Sequence, residues 1–420
     1  MNDAHQVTTS KVNFKSPKVK KQLRVGLAMF IGPIGWLSAY SGVSATLLPA
    51  KIGQLIPAHK VATIALFSTV AMIVATIANI VAGAFSDITR SKHGKRTPWI
   101  VTNSILSAIL LFAFSMANSV PVLLGIWAVY QITLNAIIAP MVAQIADRIS
   151  PNLRGTVSSF YGVGYAIGNF GSGIIASRFI SHVSTGIIVF AFFTLFGCLL
   201  SAWLVQEPSN MDSPKKPFNK QTIKENFMFP TANSRDYYLA VGGKFLMMVG
   251  QFIIVGYQLY IFTDYMKLNP SQTATSVAIM STILLVTGIL LTALTGPISD
   301  HVHRVKFPVA FATILLGVGA LFPVFTPSPW TMYAYALISG IGMGAYNAVD
   351  QALNIAVLPN PDSAAKDLGF INVAVTVGMI VGPLISGGLI SLWGYRIIFP
   401  VETLICLIGG IMIMMIKKVK

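Results

Sequence analysis

The chain has 420 residues, of which 54% are hydrophobic and 10% charged, and its mean hydropathy is +0.72. A water-soluble domain carries roughly 25% charged residues, so a packed soluble core is excluded and a lipid bilayer is the expected surrounding. The net charge of +16 would serve nucleic acid only if the cations gathered on one face of a folded domain; here they fall between apolar runs, and no nucleic-acid partner is expected.

Residues 1–25 form a basic tail. The apolar stretch after it runs past Leu47 without a small-residue cleavage site, which reads as a retained first helix and not a signal peptide. A membrane helix needs roughly 20 mostly apolar residues. Such runs fall at 26–48, 61–84, 99–117, 121–146, 156–178 and 184–205, and after a polar stretch at 239–263, 272–298, 308–326, 329–357, 368–391 and 397–416. Twelve spans put both termini on one side, where the loops and tails hold 23 Lys and Arg against 5 opposite. Cations favour the cytoplasmic side, so a multi-pass protein of the cell membrane with both termini in the cytoplasm is expected. Cys198 and Cys406 lie inside apolar runs, and His93, His182, His301 and His303 fall in loops, none with metal-ligand spacing; neither metal nor cofactor is expected.

The segment GAFSDITRSKHGKRTP from Gly83 has a counterpart in GPISDHVHRVKFP from Gly296. Both read G-x-x-S-D at the end of the second apolar run of a half, with an arginine and a proline downstream. The expected architecture is an all-α membrane protein of twelve transmembrane helices in two pseudo-symmetric six-helix bundles. Residues 26–205 and 239–416 form the bundles, 206–238 the cytoplasmic linker and 417–420 the tail. Parallel halves about the membrane normal belong to one large transporter class, with the substrate site between them. On these residues the chain resembles the major facilitator superfamily over essentially its whole length. The loop SDITRSKHGKRTPWI is most similar to that of the glycoside–cation symporters, the melibiose permease and sucrose transporter group.

The loop cations Arg90, Lys92, Lys95 and Arg96 hold the loop in the cytoplasm, which does not require Gly83 or Asp87. A glycine at Gly83 permits close backbone approach, and Asp87 is an anion at the membrane edge. The resemblance implies that Asp87 sits against the N-terminus of helix 11. It also implies that a loop arginine pairs with Asp147 at the foot of helix 4, and that Asp300, near Arg304, mirrors the first contact at helix 5. These contacts would form a cytoplasmic gate.

Ionisable groups inside a bilayer usually face the bundle interior or a cavity. Lys244 and Asp350 lie at matched depths, roughly 10 Å from their helix ends at 1.5 Å per residue, so an ion pair is expected. Two readings of it stay open: a structural pair with a snorkelling lysine, or a proton site at Asp350 tuned by Lys244. Glu402 is read as structural. Polar stripes accompany the pair, Gln251 and Gln258 with Lys244, and Asn347, Gln351 and Asn354 with Asp350. Gln131 with Asn135, and Trp36 with Tyr40, are each four apart and so share a helix face. The resemblance implies that helices 1, 4, 7 and 10, which carry these residues, line the cavity. Sodium-coupled relatives carry two acids on helix 2 where this chain has Ala75 and Asn79, which favours proton coupling, uniport or a different substrate class.

The expected function is secondary transport of a small polar solute, a sugar or glycoside first, by alternating access and proton symport, in a functional monomer. Proton-driven export of a drug or metabolite, and a non-transporting sensor, are the alternatives. An enzyme is not expected.

Overall fold

The computed structural model describes residues 17–212, 234–302, 306–359 and 364–419, and every regular element among them is helical. A bilayer offers no hydrogen-bond partner to the backbone, and a helix satisfies its own. The first helix, α1 (Pro17–Gly42), passes through a π turn at Val43–Leu47 into α2 (Leu48–Leu55). There follow α3 (Lys60–Ile88), α4 (Thr97–Met116) and α5 (Val120–Arg148). Next, α6 (Pro151–Ala166) continues through a π turn at Ile167–Gly171 into α7 (Ser172–Ser177), and α8 spans Val183–Val205. Beyond residue 233 come α9 (Arg235–Val255), α10 (Pro270–Val302), α11 (Lys306–Ala320), α12 (Pro329–Ala356), α13 (Ala364–Trp393) and α14 (Ile398–Met414). Proline stands in the first turn of α4, α5, α6 and α12, where its fixed φ suits the helix and its missing N–H costs nothing.

Among the described residues, ten helical segments are long and apolar enough to cross a membrane. The stretches 151–177 and 329–356 are helical but outside those ten; they are diluted by glycine, serine, asparagine and aspartate. The expectation of twelve spans counts both.

Three boundaries differ from the sequence reading. The first helix extends beyond residue 48 because Lys51, 4% exposed, finds a buried acceptor in the Ser115 carbonyl at 2.7 Å. The seventh run, expected unbroken over 239–263, stops at Val255; Tyr257 resets the chain by donating its N–H to the Ile254 carbonyl at 3.0 Å, and a short turn carries Gln258. Gln258 therefore does not continue the face of Lys244 and Gln251. The ninth stops at Ala320, before a separate turn at Phe322–Phe325.

Helices α1 to α8 pack chiefly with one another, as do α9 to α14; between the groups, α3 meets α13 and α7 meets α10. Inside a bilayer, close packing replaces the hydrophobic drive between helices, and small residues bring backbones together. At the α1–α8 contact a Cβ on Gly35 would lie 2.9 Å from the Gly197 Cα and 3.0 Å from the Phe193 carbonyl oxygen. One apolar cluster runs without a break from Leu47, Leu48 and Ile64 of the first group to Tyr257 and Tyr260 of the second. Another, around Met247, Leu316 and Ile413, stays within the second group. Valine at Gly35 should lower stability by about 1–3 kcal/mol, the usual cost of overpacking, whereas alanine at Gly125, which faces open space, should not; thermal midpoints in detergent check this.

Candidate functional site

A cavity of 730 Å³ lies between the two groups of helices. Trp36 and Tyr40 of α1, Thr76 and Asn79 of α3, Gln131 and Asn135 of α5 and Tyr165 of α6 supply one wall, and Asn372 and Thr376 of α13 the facing one. An amide ladder stiffens the first wall. Asn79 Nδ2 donates to Asn135 Oδ1 at 3.2 Å, and Asn135 Nδ2 donates to the Gln131 carbonyl at 2.9 Å. The Trp36 ring meets Tyr165 edge-on at 6.1 Å, and Tyr40 stacks on Trp127 at 6.3 Å. Trp36 Nε1 and Gln131 Nε2 are buried donors with no partner. Aside from tyrosines, the only ionisable residue in the described lining is Asp87, at the end nearest the basic loop.

The basic loop is a compact electrostatic knot. Arg96 is 4% exposed; its guanidinium donates to Asp87 and Ser86, and through Nε to Asp147 Oδ2 at 3.0 Å. Lys95 reaches the same Asp147 oxygen at 2.9 Å. Burial alone would raise the Asp147 carboxyl, but hydrogen bonds from Lys95 and Arg96, with their charges, outweigh it and hold the group below the usual carboxylate range. Arg90 is exposed. At Gly83 a methyl group would meet only Ala139, at 4.0 Å, so close backbone approach is not what places glycine there. Among the described residues the partners of Asp87 are Arg96 and Lys95 of its own loop; the side chains at the start of helix 11 (α13), which the resemblance sets against it, fall outside the described residues.

Glu207, assigned from sequence to the linker, completes the knot. Its carboxylate accepts the backbone N–H groups of Lys95, Arg96 and Thr97 at 3.2, 2.9 and 2.8 Å and the Thr97 hydroxyl at 3.0 Å. It thereby occupies the N-terminus of α4, where free amides and the helix dipole favour an anion. Gly94, at φ +81°, brings the backbone against it; a Cβ there would lie 2.2 Å from the Glu207 carboxyl carbon. Asn210 continues the seam, accepting from the Ser91 N–H at 2.8 Å and donating to the Thr89 carbonyl at 2.7 Å. A lone glutamate closing an apolar run, followed by proline, was the available signal.

Beyond Tyr40 the cavity gives way to a void of only 50 Å³, and the far end is sealed between the groups. Lys60 pairs with Asp264 at 2.8 Å and lies over the Tyr260 ring at 4.6 Å; Tyr395 donates to the same carboxylate at 2.8 Å. Tyr257 donates to the Val61 and Pro383 carbonyls, each at 3.1 Å, and Tyr260 to the Pro49 carbonyl at 2.8 Å. The sequence reading singled out none of these.

Lys244 and Asp350 form an ion pair, and Asn354 Nδ2 donates to the same Asp350 oxygen at 2.9 Å. The pair lies outside the described lining of the cavity, as do Gln251, Gln258, Asn347 and Asn354. Arg304 falls outside the described residues, as do the side chains of Asp300 and Gln351. Among the described residues no group of three or more His, Cys, Asp or Glu could hold a metal. Glu402 is wholly buried and accepts from the Tyr335 hydroxyl at 3.3 Å.

A helical membrane protein with a central cavity open toward one side and sealed at the other has the build of a secondary transporter. The chain belongs to the Major Facilitator Superfamily, whose family model matches residues 24–268 and 239–420. No curated protein sequence matches it. Among solved structures, a mutant of the nucleoside transporter NupG superposes with a TM-score of 0.73 at 13% identity, over 94% of this chain and 99% of that one. A bacterial homolog to the human lysosomal transporter Spinster, inward-facing and unoccupied, gives 0.64 at 14% identity over 96% of each. At these identities the likeness is one of fold.

Replacing Glu207 by alanine should cost about 1 kcal/mol, the scale of a lost helix cap, and speed hydrogen exchange at the amides of Lys95, Arg96 and Thr97. A carboxyl held low in the folded state adds stability at neutral pH that is lost as pH falls through its depressed folded value, below about 4. Asp147→Asn should therefore lower the thermal midpoint at pH 7 and converge on the unmodified protein in strong acid.

Proposed function

We propose that the chain carries a sugar or glycoside across the cell membrane by alternating access, coupled to protons, as a monomer of twelve spans in two pseudo-symmetric bundles. Both termini lie in the cytoplasm, which makes the sealed end external and the described conformation inward-open. The observation that supports the substrate class most directly is the cavity wall itself. It pairs three amide side chains with aromatic rings and, among the described residues, offers no charge above Asp87. Amides match the hydroxyls of a neutral solute, and ring faces cover its C–H surface. The unpartnered donors of Trp36 and Gln131 favour a solute bearing hydroxyl or ether oxygens, because a buried donor left unpaired costs about 1–3 kcal/mol.

The proton site we assign to Asp350. It sits in a span, paired with Lys244 and held by Asn354, so loss of its charge would release both. Asp87, Arg96 and Asp147 then form the cytoplasmic gate, with Asp87 free to exchange Arg96 for the end of helix 11 when the inner side closes.

Proteoliposome uptake over sugars, glycosides and nucleosides, with and without an imposed pH gradient, tests the reading; nucleosides belong in the panel because the first structural neighbour is named for them. Uptake of a neutral hydroxylated solute, stimulated by a proton gradient, is expected. Gln131→Ala should raise KM about tenfold, the scale of one or two lost hydrogen bonds. Asp350→Asn should retain exchange but lose the response to the gradient. Gradient-driven transport undiminished in Asp350→Asn overturns the coupling assignment, and exclusive transport of charged or apolar compounds overturns the substrate class.

A further inference from the structure

At the ends of the spans opposite the basic loop, the first group of helices holds a second concavity, of 350 Å³, separate from the central cavity. Lys51 of α2 lies in it, 4% exposed, and Asn118, Ser181, His182 and Ser184 stand around it. The pocket gathers positive charge without an anion of its own. One ammonium proton of Lys51 goes to the Ser115 carbonyl at 2.7 Å, an oxygen that also accepts from the Ser184 hydroxyl at 2.8 Å. No carboxylate among the described residues pairs with Lys51.

The pocket also contains the first turn of α8, Val183 to Thr185. His182 occupies the N-cap position, and no side chain caps that terminus. The amides of a first turn have no partner within their own helix, and their end carries about half a positive charge. Ser115 lies in the last turn of α4, so the negative end of that helix holds the Lys51 ammonium in place. A helix end offers a partial charge only, and a buried ammonium calls for a full counter-charge.

We propose that this pocket binds a phosphate-bearing anion. Oxygens fanned around one phosphorus accept at once from an ammonium, from helix-end amides and from hydroxyls, the donors that converge here. Because the pocket lies where candidate spans end, its phosphate comes either from the headgroup of a phospholipid or from the adjoining solution.

The test compares the unmodified protein with Lys51→Met, which removes the ammonium, and His182→Asp, which supplies an internal carboxylate at the N-cap. Aspartate is a favoured N-cap residue, so the second variant keeps the helix while occupying the site, and a monodisperse elution profile confirms folding. Each protein is reconstituted with phosphatidylglycerol, taken into mild detergent and weighed by native mass spectrometry. Separately, thermal midpoints are measured in inorganic phosphate and in chloride at equal ionic strength. One phospholipid held about tenfold more tightly by the unmodified protein than by either variant, the scale of one charge-assisted hydrogen bond, supports the headgroup source. A midpoint raised by inorganic phosphate in the unmodified protein alone supports the free anion. Lipid retention and phosphate response that are absent, or equal in all three proteins, overturn the proposal.

Discussion

Hydrocarbon gives a polar group nothing to bond to, and this single constraint arranges most of the molecule. It makes every regular element among the described residues helical, and it favours polar side chains within a span that find a partner in the protein. Thr69 and Thr76 donate to carbonyls one turn earlier on their own helix. Asn79 and Asn135 answer one another across two helices. Lys244 and Asp350 pair, and Lys51 takes the carbonyl at the end of α4. Trp36 Nε1 and Gln131 Nε2 lack partners and border the central cavity, whereas Gln144 and Thr273 lack them away from it.

The basic loop obeys a different balance, since it stands at the water's edge. A guanidinium as enclosed as that of Arg96 is stable only with its carboxylates in place, and removing one partner of such a group costs far more than the pair contributes. Asp147 and Glu207 are fixed to the first group of helices, one at the end of α5 and one just after α8. They tie loop, α4, α5 and α8 into one body. Asp87 differs: its side chain is 55% exposed and it borders the cavity. The knot thus has a rigid part and a replaceable part, and the replaceable part is the one facing the other half of the protein.

Much of this could be read from residue order alone, because apolar length, loop charge and a repeated motif are one-dimensional signals. The spans came within a few residues at most ends, and Trp36, Tyr40, Gln131 and Asn135, singled out by their four-residue spacing, border the central cavity. The failures share a cause. Glu207 works by meeting backbone amides more than a hundred residues earlier, and Lys60 by meeting Asp264; the partner of neither is written in the nearby sequence. The break before Gln258 was hidden because Gly256 is tolerated inside many apolar helices, and only the turn at Tyr257 reveals the new direction. Thr376 and Asn372, one turn apart on α13, carry the same spacing as the residues singled out, but the sequence reading did not single them out.

The sealed end has a property that concerns heredity more than energy. Tyr257 and Tyr260 reach across the interface to main-chain oxygens of Val61 and Pro49, acceptors that survive any substitution at those positions. Sequence change on the accepting side leaves the bonds intact, while loss of either tyrosine removes them. Half of this closure is consequently written in residue identity and half in backbone shape, so paired substitutions across it would never need to accumulate. A search for co-varying positions would pass over the contact, although it joins the two halves of the protein.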